Sequence, residues 1–330
     1  MMRIGLLGAG RIGRIHGGNA AAHPRAQLAT VADADAGAAH RLAATNGASI
    51  SSVDAIVASA EIDAVIVCTP TDTHADLIER AVRAGKAVFC EKPVDLNAAR
   101  IRACLDVVRG ANGRLMVGFN RRFDPSFNAL RRRVAAGEIG DVEVVTIISR
   151  DPQPPHPGFV ERSGGLYRDM MIHDLDMARL LLGEEPIEVH AVGSCLIDPA
   201  IGAAGDVDTA AVMLKTASGR IAQITNSRRT TYGYDQRIEV HGSLGLLSAG
   251  NQRATTLERA DASGYQIDPV LPFFLERYAD AYRLELDAFI DAVLDGTALT
   301  PNGDDGLRAQ VLADAATEAT KIGRPVRLDA

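Results

Sequence analysis

The sequence predicts an α/β protein in two parts: an N-terminal Rossmann-type, doubly wound parallel sheet, then a C-terminal α+β domain on a mostly antiparallel sheet. Three observations lead there. The chain has 330 residues, more than one ordinary hydrophobic core of roughly 100–200 residues. Its first 120 residues alternate short, continuously apolar runs with Ala-rich helical stretches, as strands buried on both faces of a parallel sheet do. Beyond Asn120 the runs lengthen and alternate apolar with polar residues, the pattern of a sheet with one solvated face. The expected domains are 1–119 and 120–330.

In the first part, the apolar runs Ile4–Leu7, Leu28–Ala32, Ala64–Cys68, Ala87–Cys90 and Leu115–Phe119 read as strands. Ala-rich stretches at 12–37 (which also contain the second run), 74–84 and 97–110 supply the helices between them. A helix then runs from Pro125, a residue pre-set for a first helical position, to Ala136. The strand Val142–Ser149 leads to a loop with Pro152, Pro154, Pro155 and Pro157, and a helix is expected over Leu166–Leu182. Strands follow at Ile187–Cys195, Thr209–Thr216, Arg220–Asn226 and Gln236–His241, with a hairpin turn at Ser218-Gly219. Helices at 273–294 and 304–321 close the chain.

Composition removes several function classes. The net charge of −7, with 4% aromatic residues and no Trp, argues against a nucleic-acid binder. The run Arg131-Arg132-Arg133 reads as a solvated helix face. No apolar run approaches the ~18 residues of a membrane span, and no leader pattern opens the sequence, so a cytoplasmic protein is expected. Cys68, Cys90, Cys104 and Cys195 lack disulfide-framework or zinc spacing.

Gly8-Ala9-Gly10-Arg11-Ile12-Gly13 lies between the first strand and the first helix. There Gly8 permits the tight turn, Gly10 lets a pyrophosphate approach the backbone and Gly13 lets helix and strand pack closely. Asp33 ends the second strand, placed to accept hydrogen bonds from the adenosine ribose hydroxyls. With Asp35 nearby and no Arg or Lys immediately following, a 2′-phosphate would meet like charge, so NAD is expected over NADP. Glu91-Lys92-Pro93 follows a strand at the carboxyl edge of the sheet, where such folds bind ligands. From position alone, Lys92 would as readily face solvent as contact substrate.

On one continuous helix, Asp169, His173 and Asp176 share a narrow polar stripe, opposite Met170, Met171, Leu175, Ala178 and Leu182. Asp and His at i and i+4 can hydrogen-bond, and a carboxylate raises the proton affinity of an imidazole, making it a general base near neutral pH. A solvated charged face and a three-ligand metal site are the rival readings. Alcohol oxidation by a nicotinamide cofactor needs no Lewis acid when a base and a lysine are supplied, so no metal is expected.

These motifs in this order, with Cys68-Thr69-Pro70-Thr71-Asp72-Thr73-His74 and Gly165…Asp169…His173, resemble the glucose–fructose oxidoreductase and inositol dehydrogenase family over essentially the whole chain. Within it, Gly118-Phe119-Asn120-Arg121-Arg122-Phe123-Asp124-Pro125, Ile172-His173-Asp174-Leu175-Asp176-Met177-Ala178-Arg179 and Tyr232-Gly233-Tyr234-Asp235 are similar to the bacterial inositol 2-dehydrogenases. The resemblance implies a large open sheet in the C-terminal domain and homotetramers formed through such sheets. It implies Lys92 and His173 at the reacting carbon, Asp169 beside them, and a cis peptide before Pro93. Thr69, Pro70, His74 and Glu91 would line the cofactor. Arg121, Asp151, Tyr234 and Tyr282 match positions that approach the polyol or nicotinamide, and Asp176 would supply a further polar partner to the substrate. The expected activity is NAD-dependent oxidation of myo-inositol to its 2-keto form, in inositol catabolism. The alternatives are the same chemistry on scyllo-inositol, D-chiro-inositol or an aldose, and a non-catalytic NAD-binding sensor.

Overall fold

The computed structural model describes residues 1–328. They form two compact units, one of Met1–Phe123 with Ala281–Gln310, the other of Asp124–Asp280 with the segment from Val311 onward.

The first unit is built on six parallel strands: β1 (Met2–Leu7), β2 (Ala26–Ala32), β3 (Ser49–Ile50), β4 (Ala64–Val67), β5 (Ala87–Glu91) and β6 (Leu115–Gly118). Their order, β3-β2-β1-β4-β5-β6, reverses direction between β1 and β4, as in the doubly wound dinucleotide-binding fold. β4 is buried at every residue, which explains its unbroken apolar sequence. The short β3 and the helix Ala36–Asn46, capped by Asp35 accepting from the Ala38 N–H, lie between β2 and β4 where the sequence showed no separate elements. The helix Ala279–Asp295 reaches back into this unit. Its Leu286, Phe289 and Ile290 are fully buried in the same core as Ile4, Leu6, Leu28 and Ile66. The second domain, expected as one stretch from residue 120, is therefore interrupted by a return to the first unit.

The second unit holds β7 (Val142–Arg150), β8 (Pro186–Ser194), β9 (Thr209–Thr216), β10 (Ile221–Ser227), β11 (Asp235–Gly242) and β12 (Gly245–Ala249). The hairpin β13 (Glu258–Asp261) with β14 (Gly264–Ile267) stands apart, and β15 (Val326–Arg327) joins the main sheet. The main order is β12-β11-β7-β10-β9-β8-β15, antiparallel except where β7 and β10 pair in parallel. One face buries Val212, Leu214, Ile224 and Val240, with the helix Ile172–Leu182 packed on β7 and β10. The other brings Met213, Ile221, Gln223 and Glu239 to the surface.

The helix expected over Leu166–Leu182 is two helices, Gly165–Asp169 and Ile172–Leu182. The Leu166 carbonyl accepts from both the Met170 and Met171 N–H groups, at 3.0 and 2.9 Å. One extra residue thus enters the turn and breaks the uniform 100° rotation assumed between Asp169 and His173.

Candidate active site

In the first unit the glycine-rich turn is shaped by contact. Gly8 has φ +100°, and a Cβ there would lie 2.5 Å from the Cys68 carbonyl oxygen. A Cβ on Gly13 would lie 1.9 Å from the Gly8 carbonyl oxygen. Gly10 faces open space, with nothing within 4 Å of its would-be Cβ, and no side chain caps the helix Arg11–Ala22. Arg11 and Ile12 open that helix, whose first N–H groups suit a pyrophosphate. These features fit a dinucleotide. The Asp33 carboxylate accepts from the Ala9 N–H and, at 2.7 Å, from the Asp35 N–H. It therefore ties the end of β2 to the glycine turn. A carboxylate has about four acceptor sites, so capacity remains for ribose hydroxyls.

The Lys92–Pro93 peptide bond is cis. His74 is buried, with Nδ1 2.8 Å from the Pro93 carbonyl oxygen and Nε2 2.8 Å from that of Thr69. One imidazole thereby links the residues following β4 and β5, and Thr69 is fixed further by its hydroxyl, 2.6 Å from that of Thr73. Pro70 precedes the short helix Thr71–Thr73. Glu91, the last residue of β5, hydrogen-bonds His16 at 2.7 Å. Arg121 is buried in the turn Asn120–Phe123, and Tyr282 packs its ring edge-on against His16.

In the second unit, Asp169 ends one helix and His173 lies in the first turn of the next. Asp176 is buried, 3.6 Å from Arg179, whose guanidinium is also held by Glu185 at 2.6 and 2.8 Å. Asp174, beside His173, accepts from the Ser149 hydroxyl at 2.6 Å and the Asn226 amide at 2.9 Å. Those bonds pin the helix to β7 and β10. Tyr234 is buried, edge-on to Tyr278 with ring centroids 5.9 Å apart.

Sequence reasoning missed Arg228. Its side chain is only 2% exposed, with Nη1 and Nη2 each 3.5 Å from Asp169 Oδ2, and Nη1 3.8 Å from Asp151 Oδ2. The parallel register, which pairs Arg150 with Ser227, sets Asp151 beside Arg228. A single cation therefore serves two acidic site candidates. Its signal lay in the adjacency of β7 and β10, which local pattern does not carry. Removing one partner of a fully buried pair costs on the order of 3–5 kcal/mol, and the loss here should be smaller because Asp151 and Asp169 each keep 22% of their side-chain surface in water. Arg228→Met is expected to lower the melting temperature and turnover, and Arg228→Lys to do so less. Equal melting curves for Arg228→Met and wild type would refute this account of the cluster.

The sequence matches two family descriptions: "Oxidoreductase family, NAD-binding Rossmann fold" over residues 2–119, and "GFO/IDH/MocA C-terminal domain" over residues 127–248. It is 55% identical over 327 residues to the Inositol 2-dehydrogenase of Rhizobium meliloti (strain 1021), covering 99% of each chain. A crystal structure of a myo-inositol dehydrogenase from Corynebacterium glutamicum ATCC 13032 superposes with a TM-score of 0.96 at 44% identity, covering 100% of this chain and 99% of that one. That of scyllo-inositol dehydrogenase from Lactobacillus casei, with bound NAD(H) and scyllo-inositol, gives 0.92 at 30% identity, covering 99% of each. With family models matched over residues 2–119 and 127–248 and a relative alike over 99% of both chains, the chain belongs to the GFO/IDH/MocA family of oxidoreductases and carries its NAD-binding Rossmann domain.

Proposed function

We propose that this protein oxidises myo-inositol to the 2-keto inositol, with NAD as acceptor. The observation that carries the reading is 55% identity to an inositol 2-dehydrogenase across 99% of both chains. NAD supplies the hydride acceptor. His173 takes the hydroxyl proton as the carbon–hydrogen bond gives up its hydride, and Asp169 offsets the imidazolium charge. Lys92 donates a hydrogen bond to the oxygen as it becomes a carbonyl. Gly8, Gly10, Arg11, Ile12, Gly13, Asp33, Thr69, Pro70, His74 and Glu91 hold the dinucleotide. Arg121, Asp151, Asp176, Tyr234 and Tyr282 serve the polyol.

We also infer a cytoplasmic homotetramer joined through the open faces of the seven-stranded sheets. The support is apolar: Met213 and Ile221 are exposed on one sheet face. No helix among the described residues is long and apolar enough to cross a membrane.

The test is NADH formation with a panel of cyclitols and aldoses. Highest kcat/KM is expected for myo-inositol, and a decisive preference for scyllo-inositol, D-chiro-inositol or an aldose would replace the substrate assignment. NAD should far outperform NADP, because Asp33 would face the 2′-phosphate. Equal turnover with the two cofactors would remove Asp33 from that role.

A further inference from the structure

Three ionisable side chains meet inside the first unit, and two of them have no part in the reaction described above. His16, in the second turn of the helix Arg11–Ala22, sets Nε2 2.7 Å from Glu91 Oε1. Glu285, on the helix Ala279–Asp295, brings Oε1 to 3.9 Å from the same nitrogen. One atom from each residue lies within 4.8 Å of the other two. The side chains of His16 and Glu285 are completely buried. Neither Glu285 oxygen, nor His16 Nδ1, has a hydrogen-bond partner among the described residues. Burial pushes the Glu285 carboxyl well above the usual carboxylate range, and the Glu91 charge adds to the effect. Burial likewise pushes up the nearby Cys68 thiol, reinforced by Glu91, Cys90 and Glu285. The Glu91 carboxylate lies over Gly118, where a Cβ would come within 3.2 Å of it.

Two buried acids and an imidazole cost more than an apolar cluster of the same volume. What they connect accounts for the arrangement. The helix bearing His16 begins at the glycine turn, and Glu91 directly precedes Lys92. Glu285 Oε1 stands 3.9 Å from the His16 nitrogen that Glu91 engages at 2.7 Å, so the three groups form one buried polar set spanning the helix Arg11–Ala22, the end of β5 and the helix Ala279–Asp295. We propose that His16 and Glu285 are positioning residues for Lys92, clamping the end of β5, through Glu91, to the dinucleotide helix. This rests on the role given to Lys92 under Proposed function. Misplacing a catalytic group by about 1 Å can cost roughly 10²-fold in rate, so a small loosening here is enough to matter.

The experiment uses the full-length protein with Glu285→Met, Glu285→Gln and His16→Leu. Glu285→Met should melt higher, by roughly 2–4 °C for each kcal/mol of buried-acid cost removed, which shows that it folds. Its kcat should nevertheless fall by roughly ten- to a hundredfold, with KM for NAD close to wild type. Glu285→Gln should recover kcat, because the amide keeps the size of the side chain and a polar group that can donate or accept within the buried set. Lys92 gives a readout free of substrate, since the chain has only four lysines, Lys86, Lys92, Lys215 and Lys321. Acetylation of Lys92, followed by peptide mass spectrometry, should change in rate in Glu285→Met and His16→Leu while Lys215 and Lys321 keep theirs. Unchanged kcat and Lys92 labelling in both variants would overturn the clamp. So would added zinc or manganese stabilising wild type but not Glu285→Gln, since the three residues would then be metal ligands. If no cyclitol or sugar is oxidised by wild type, the proposed function fails, and the labelling still decides the clamp.

Discussion

His173→Ala is expected to lower turnover roughly 10²–10⁴-fold, the usual worth of a positioned general base, while NAD affinity stays near wild type. The residue follows the wide turn at Met170–Met171 and sits on a helix held to β7 and β10 through Asp174. Its ring therefore rides on a fixed backbone. If Asp169 offsets the imidazolium as proposed, Asp169→Asn removes that charge, and the rate should fall with a change in the acidic limb of the pH–rate profile. Arg228 already takes part of the Asp169 charge, so the Asn variant should lose less than His173→Ala. The double variant should be little worse than His173→Ala, because residues acting as one unit are not additive. Multiplicative losses would instead mean that Asp169 acts on the substrate directly.

Lys92→Ala should do comparable damage if, as proposed, its donor acts where charge builds on the oxygen during the reaction. The loss should appear in kcat more than in KM for NAD, a split that steady-state kinetics reads directly. Near-normal turnover in His173→Ala with a dead Lys92→Ala would make the lysine the base. The converse would reduce Lys92 to a substrate contact.

Much of the first unit was legible because its signals are local. GAGRIG sits between strand and helix, Asp33 directly follows β2, and β4 is apolar throughout because both of its faces are buried. Long-range features were not. Arg228 belongs to no motif, and its meeting with Asp151 depends on β10 lying parallel to β7, a neighbour relation that spacing along the chain does not encode. The break after Asp169 was hidden because Met170 and Met171 are ordinary helix formers, with no Gly or Pro to announce it. The apolar periodicity of the helix Ala279–Asp295 says that one face is buried, but nothing in it says against which sheet. β12, β13 and β14 are short and largely exposed, so little apolar pattern marks them.

That returning helix governs the order in which the protein can be made. Leu286, Phe289 and Ile290 fill a core whose first strand begins at Met2. A nascent chain that has reached Phe123 holds all six strands of the first sheet but not these side chains. At ordinary translation rates the missing helix emerges on the order of ten seconds later. During that interval the apolar surface it will cover is open, and closing it requires a contact between chain segments nearly as far apart as the sequence allows, the slow class of folding event. The segment Met1–Phe123 thus stays incomplete until the helix Ala279–Asp295 has been synthesised, and a fragment ending at Phe123 should aggregate where the full 330 residues do not.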